Sequence, residues 1–266
     1  MSDAPAERPA PTLHHDWDSL QSLKVRFCLA EKGLPFEGRI VAIKRFENLA
    51  PAYLALNPNG VVPTLEHGGN VIIESSIINE YLDEIGAGPK LLPEVPAERA
   101  RVRMWCRYED DVMHPAVRPP TFQLMIKQRF AAMSRGQMSA LVESHPQPQR
   151  AEAYRNGATG PIDYDAVLRA VADFRRILAR VDAALERHPW LAGAQFTLAD
   201  VAGAVFFDRL TALRMSFLWA SMPRVADWGA RLMARPAWCT AAPATENRMP
   251  APTDAMAGEV RRRIGA

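Results

Sequence analysis

The sequence contains no apolar run of about 18 residues, the length a membrane-spanning helix needs, and its first residues, MSDAPAERPAPT, include no apolar leader core. A cytoplasmic protein is expected. Neither sign of charge dominates, because 32 basic residues stand against 30 acidic ones for a formal net charge of +2, and no Lys/Arg block is dense enough for a polyanion. Neither a nucleic acid nor a membrane is expected as a partner. Cysteine is scarce as well. Cys28, Cys106 and Cys239 lie far apart and form no C-x-x-C, which excludes a disulfide framework and a cysteine zinc site and reads as reduced, buried thiols; no metal is expected. What remains is a chain of 266 residues, 48% hydrophobic and 23% charged, long enough for two modest domains with a sizeable core.

The densest signal lies in residues 57–76, NPNGVVPTLEHGGNVIIESS. Asn57-Pro58 and Asn59-Gly60 mark turns, and Pro63 opens the run Pro63-Thr64-Leu65, a strand position that tolerates a residue without an N–H. A cis Val62-Pro63 bond there turns the backbone N–H and C=O of Val62 outward, an edge on which an extended peptide can lie as an added strand. Leu65 and the run Val71 to Ile73 flank Gly68-Gly69, a pair suited to a two-residue hairpin. Ser75-Ser76 then precedes a helical pattern with Ile77, Ile78, Tyr81, Leu82 and Ile85 on one side, so Ser75 is an N-cap candidate. A helix N-terminus with a hydroxyl and free N–H groups binds a carboxylate, and Glu74 beside it binds an ammonium, so the pair suits an amino-acid zwitterion. A peptide edge next to a zwitterion socket points to glutathione.

Around this stretch the pattern predicts a short polar strand at Leu13 to Trp17 and a helix from Ser22, with Leu23, Phe27 and Ala30 on one face and Gly33 as its stop. A second strand follows over Phe36 to Ile43 and an irregular connection over Phe46 to Leu56. The order is then β-α-β-α-β-β-α, a thioredoxin-like domain with a mixed four-stranded sheet over residues 13–88, after a disordered tail at 1–12. Gly86 to Pro96 reads as a linker. A helical bundle is expected over 97–241, making the fold class α/β plus all-α. Its long first helix carries Val102, Trp105, Val112 and Met113 and ends at Pro115 and Pro119-Pro120. An insertion is expected at 121–160, then a core helix over Tyr164 to His188, and a capping box with Thr197 at the N-cap and Asp200 at N3. One more helix, Pro223 to Arg235, is stopped by Pro236, and a C-terminal extension at 242–266 runs over the surface.

The cis-proline stretch followed by Glu74-Ser75 resembles the glutathione-binding half of the glutathione S-transferase family, and the Thr197–Asp200 box resembles an element of that family's helical domain. Two segments resemble its bacterial β-etherase branch, which cleaves aryl ethers with glutathione: Ser22-Leu23-Lys24 with Glu31-Lys32-Gly33-Leu34, and Tyr154-Arg155-Asn156-Gly157. The resemblance implies that Val62, beside Pro63, contacts the cysteinyl backbone, that Glu74 and Ser75 hold the γ-glutamyl end, and that two copies form a homodimer. Lys44, after the second strand, is a further glutathione-binding candidate.

The implied chemistry requires a thiolate from a thiol that titrates near about 8.5, so the protein must stabilise the anion. Ser22 is the donor expected to do so at the first helix start, with Ser19 and Gln21 as alternatives. Since Cys28 lies inside that helix, a thiol-exchanging transferase is not expected. Thiolate attack on a carbon bearing an aryloxy group expels a phenolate. The partner is then a small hydrophobic electrophile, in a pocket between the domains lined by Trp17, Trp105, Tyr108, Glu109 and Met113. Two other readings remain open: a non-catalytic glutathione or hydrophobe-binding protein, favoured by the polar His14, His15 and Asp16, and a glutathione-dependent dehalogenase.

Overall fold

Thr12–His15 forms the central strand β1 with three of its four residues buried, although two of those three are histidines. The structure is a computed structural model describing residues 9–130, 133–148, 151, 152, 154 and 160–265. β1 pairs in parallel with Glu37–Ile40 (β2) and antiparallel with Thr64–His67 (β3), and β3 pairs antiparallel with Asn70–Ile73 (β4), giving the mixed order β2-β1-β3-β4. Leu20–Lys32 (α1) makes the crossover between the parallel pair, Pro51–Leu54 (α2) precedes β3, and Ser75–Ile85 (α3) follows β4. This is the predicted thioredoxin-like arrangement. Gly68 and Gly69 take φ of 57° and 80° in the hairpin, and Val62-Pro63 is cis.

Both early strands are shorter than their patterns suggested. β1 stops at His15 because the Asp16 carboxylate turns the chain: Oδ1 accepts the Asp18 N–H at 2.9 Å and Oδ2 the Ile43 N–H at 3.0 Å. The second contact also ends β2 early, because Ile43–Arg45 winds into a 3₁₀ turn instead of continuing the edge strand. Ser19 rather than Ser22 caps α1, accepting the Ser22 N–H at 3.2 Å. Glu74 rather than Ser75 occupies the N-cap position of α3. Ile77 turns outward, 55% exposed, while Ile78 and Leu82 are fully buried. The tail expected at 1–12 lies outside the described residues up to position 8, and Thr12 belongs to β1.

The long helix does not stop at its prolines. Pro96–Tyr108 (α4) runs through a π turn at Glu109–Met113 into His114–Thr121 (α5), then through a second π turn at Phe122–Ile126 into Lys127–Phe130 (α6). A proline cannot bond the carbonyl four residues earlier, and for Pro115 that carbonyl is Asp111, inside the widened turn where the five-residue pattern takes over. Arg135–Ser144 (α7), Tyr164–Leu185 (α8), Leu198–Ala212 (α9), Pro223–Met233 (α10) and Pro236–Ala241 (α11) follow. Pro236 thus starts a helix as well as ending one. The capping box forms at α9, and Asp200 Oδ1 also accepts from the Leu191 N–H and Trp228 Nε1, each at 3.0 Å.

Leu13, Phe27, Leu65 and Ile78 of the sheet half join Val102, Phe174, Val205 and Trp228 of the helical half in one continuous core. A separate small cluster gathers Leu49, Phe130 and Leu141 with Phe46, Phe122 and Tyr154, so the expected insertion shares apolar contacts with the segment after β2. Arg155, Asn156 and Gly157 lie outside the described residues. The C-terminal extension is more than a surface run. Asp254–Ile264 (α12) buries Val260 in the main core and stacks Arg263 on Tyr164. Of the thiols, Cys28 and Cys106 are buried as expected, but Cys239 is exposed.

Candidate active site

The loop from β1 to α1 is held rigid by buried arginines. Arg26 donates to the carbonyls of Asp16 at 3.1 Å, Trp17 at 2.8 Å and Ala241 at 3.0 Å, with its guanidinium 4.7 Å from the Trp17 ring. Arg209 of α9 donates to the Asp18 carbonyl at 2.9 Å, and the Asp18 carboxylate accepts the Met249 N–H from the C-terminal extension at 2.5 Å. Burial, helped by Arg26, pushes the His15 imidazole down to about 4. The loop therefore presents the N-terminus of α1 at a fixed place.

The three hydroxyl and amide candidates there differ in access. Ser22 is sealed from solvent, its Oγ accepting the Asp16 N–H at 3.4 Å, because it is the third residue of α1 and faces inward. Ser19 and Gln21 are half-buried. The Ser19 Oγ spends a lone pair on the cap, which leaves its O–H as a donor.

Gln21 connects this helix start to α3. Its Oε1 accepts the Ser75 hydroxyl at 2.6 Å, and its Nε2 donates to Glu109 Oε1 at 2.8 Å. Lys24, fully buried, donates to Glu109 Oε2 at 2.6 Å, Asp110 Oδ1 at 2.8 Å and Ser76 Oγ at 2.9 Å. Burial acts to lower the Lys24 ammonium, yet the Glu109 and Asp110 charges leave it raised; burial raises Glu109 despite Lys24. Glu109 is thus no acceptor contact but the centre of a buried polar network, and Lys24, Ser76 and Asp110 are members that the spacing gave no means to separate from solvated residues. Glu74 takes φ 68° and ψ 111°, outside the wells open to an ordinary side chain, and makes no side-chain cap, so the first-turn N–H groups of α3 stay open. No described residue hydrogen-bonds the backbone of Val62.

The remaining acceptor candidates are spread out. Trp105 and Tyr108 touch at 5.8 Å between ring centroids and are both covered by the Arg180 guanidinium, while Met113 is in the core at 1% exposure. Trp17 packs on His15 and Arg26 instead. Lys44 is exposed and lines a cavity of about 730 Å³ between residues 43–50 and the helices around 126–154.

Residues 18–85 match the glutathione S-transferase N-terminal domain family, and residues 137–236 match the glutathione S-transferase C-terminal domain family. The chain is 31% identical to glutathione S-transferase 3 of Zea mays over 81% of its length and 86% of that protein's. It is 27% identical to the tetrachloro-p-hydroquinone reductive dehalogenase of Sphingobium chlorophenolicum, over 88% of this chain and 96% of that one. Among solved structures, the beta-etherase LigF of Sphingobium sp. strain SYK-6 superposes with a TM-score of 0.79 at 26% identity, covering 88% of this chain and 98% of that one.

Proposed function

Because the chain belongs to the glutathione S-transferase family, we propose that it transfers glutathione to an electrophilic aromatic acceptor, with cleavage of an aryl ether as the favoured reaction. Glutathione is the cosubstrate, and it supplies a thiolate whose attack on the carbon bearing an aryloxy group forms a C–S bond, breaks the C–O bond and releases a phenolate. The residues fit such a peptide. The open N–H groups of α3 face a carboxylate, with the Ser75 hydroxyl beside them donated to Gln21, Glu74 meets an ammonium, and the unbonded backbone of Val62 takes the peptide edge.

One observation carries the reading: Glu74 is held at φ 68° beside the uncapped start of α3. Such a backbone costs on the order of 1–3 kcal/mol and persists where a side chain must be aimed. At the other end of the peptide, the Ser19 hydroxyl and the N-terminus of α1 stabilise the thiolate, and Ser22 supports Ser19 through its N–H. Displacement of halide would use the same residues with another leaving group, and the likeness to a dehalogenase supports it as the second reading. Exposed Val71, Ile77 and Met104 favour a homodimer through the faces of β4, α3 and α4.

The test is to incubate the protein with glutathione and, in turn, a fluorogenic β-aryl ether, 1-chloro-2,4-dinitrobenzene and a halogenated phenol. Release of fluorophore is expected. Halide release from the halogenated phenol without fluorophore release supports the dehalogenase reading, chloride from 1-chloro-2,4-dinitrobenzene alone leaves a transferase without ether cleavage, and glutathione binding with no turnover of any acceptor would leave a binding protein.

A further inference from the structure

The cavity between residues 43–50 and the helices that follow residue 126 is a feature that the transferase reading leaves unused. At about 730 Å³ it has the volume of a small-molecule site, whereas packed interiors leave few voids larger than a water. Aromatic rings build it: Phe130 lies 5.3 Å from Tyr154 and 6.3 Å from Phe46 between centroids. Leu141 and Ile126 fill the wall between them. Among the described residues no acidic side chain lines it, and Lys44 and Arg45 do. Arg45 is paired with Glu47 at 2.7 Å, while Lys44 has no ion pair among the described residues.

The cavity also adjoins the loop that carries the thiolate-stabilising groups. Its lining residue Ile43 donates its N–H to Asp16 Oδ2 at 3.0 Å, and Met125, next to Ile126, receives Arg209, which holds Asp18. On the other side Gly60, two residues before Val62, packs against Leu49 and against Pro146 of the insertion. Lining residues Ile43 and Leu49 thus touch, respectively, the sulfur-side loop at Asp16 and the stretch before the peptide edge at Gly60.

We propose that this cavity is the acceptor site and that it selects a flat aromatic molecule bearing an anionic group, whose ring lies among Phe46, Phe130 and Tyr154 and whose charge meets Lys44. The inference rests on the transferase reading and gives Ile126, Phe130, Leu141 and Tyr154 a role as the acceptor wall. It also moves Lys44 from the glutathione side to the acceptor side.

Calorimetry with glutathione, S-(4-carboxybenzyl)glutathione and S-(4-carbamoylbenzyl)glutathione tests it. The carboxybenzyl compound should bind roughly tenfold or more tighter than glutathione, the scale of burying one ring. It should also bind roughly threefold to fivefold tighter than the carbamoyl compound, the scale of one exposed charge pair. Leu141→Trp, which fills the cavity, should abolish the first gain, and Lys44→Met the second, with glutathione affinity unchanged in both and thermal melts showing folded protein. Glutathione bound with no gain from the benzyl group would overturn the cavity assignment alone. Equal binding of acid and amide, or a Lys44→Met variant that loses glutathione affinity instead, would overturn the role of Lys44. No binding of glutathione by the native protein would overturn the transferase reading itself.

Discussion

At the scale of single residues, access separates candidates that position in the sequence could not. Ser19 and Ser22 both stand at the start of α1, but only Ser19 is reachable, because one caps the helix and the other faces inward. Ser19→Ala should therefore raise the titration midpoint of bound glutathione by about one unit and slow turnover at pH 7 about tenfold, since one unit corresponds to about 1.4 kcal/mol. Ser22→Ala should leave both within a factor of about two. An ultraviolet thiolate titration of the two variants compares them directly, and the reverse ranking would restore Ser22. Glu109→Gln uncouples a different pair. It leaves the buried Lys24 with Asp110 as its remaining carboxylate, so a loss of about 3 kcal/mol in urea unfolding is expected. The same change loosens Gln21 and, through it, Ser75, so KM for glutathione should rise while kcat moves little.

At the scale of elements, two buried titratable groups oppose each other in acid. Asp200, which fixes the start of α9, is raised by burial from 3.8 to about 6, against the pull of its hydrogen-bond donors. The folded state then binds more protons than the unfolded state in that interval, so this contribution is present below about pH 4 and is lost as pH rises through 6. His15, lowered by burial from 6.5 to about 4, does the opposite: its contribution is present above pH 6.5 and lost as pH falls through 4. Asp200→Asn removes the first and keeps the second. Relative to the native protein, the variant's stability should climb with pH between 4 and 6 by up to about 1.4 kcal/mol per unit, read from urea midpoints. Elements were legible where a local signal decided them: the hairpin from Gly68-Gly69, the α9 start from Thr197 and Asp200, the stop of α1 at Gly33. They were not legible where a distant partner decided. Nothing near Pro115 announces a π turn that lets the helix continue, and nothing near His15 says that Asp16 will bond Ile43 and close both strands early.

At the scale of the whole molecule, the order of the sheet half could be read from the sequence because each connection is short, whereas the candidate site depends on contacts across the chain. Val62, Glu74 and Ser75 lie within one stretch, and their proposed roles are read from it. Glu109 was placed at the acceptor because helical spacing alone cannot show that Lys24, on a helix 85 residues earlier, claims it. The exposed apolar side chains Val71, Ile77 and Met104 belong to this scale too. Light scattering at micromolar concentration should give twice the 29.5 kDa chain mass, and Ile77→Glu combined with Met104→Glu should give a monomer that still binds glutathione.

The left-handed Glu74 leads somewhere else again. A glycine there would accept φ 68° without strain, so Glu74→Gly should hold or raise the melting temperature even though it strips the ammonium's partner and weakens glutathione binding. A laboratory selection for heat tolerance alone would thus tend to drift at this position toward a sturdier protein that holds glutathione less well.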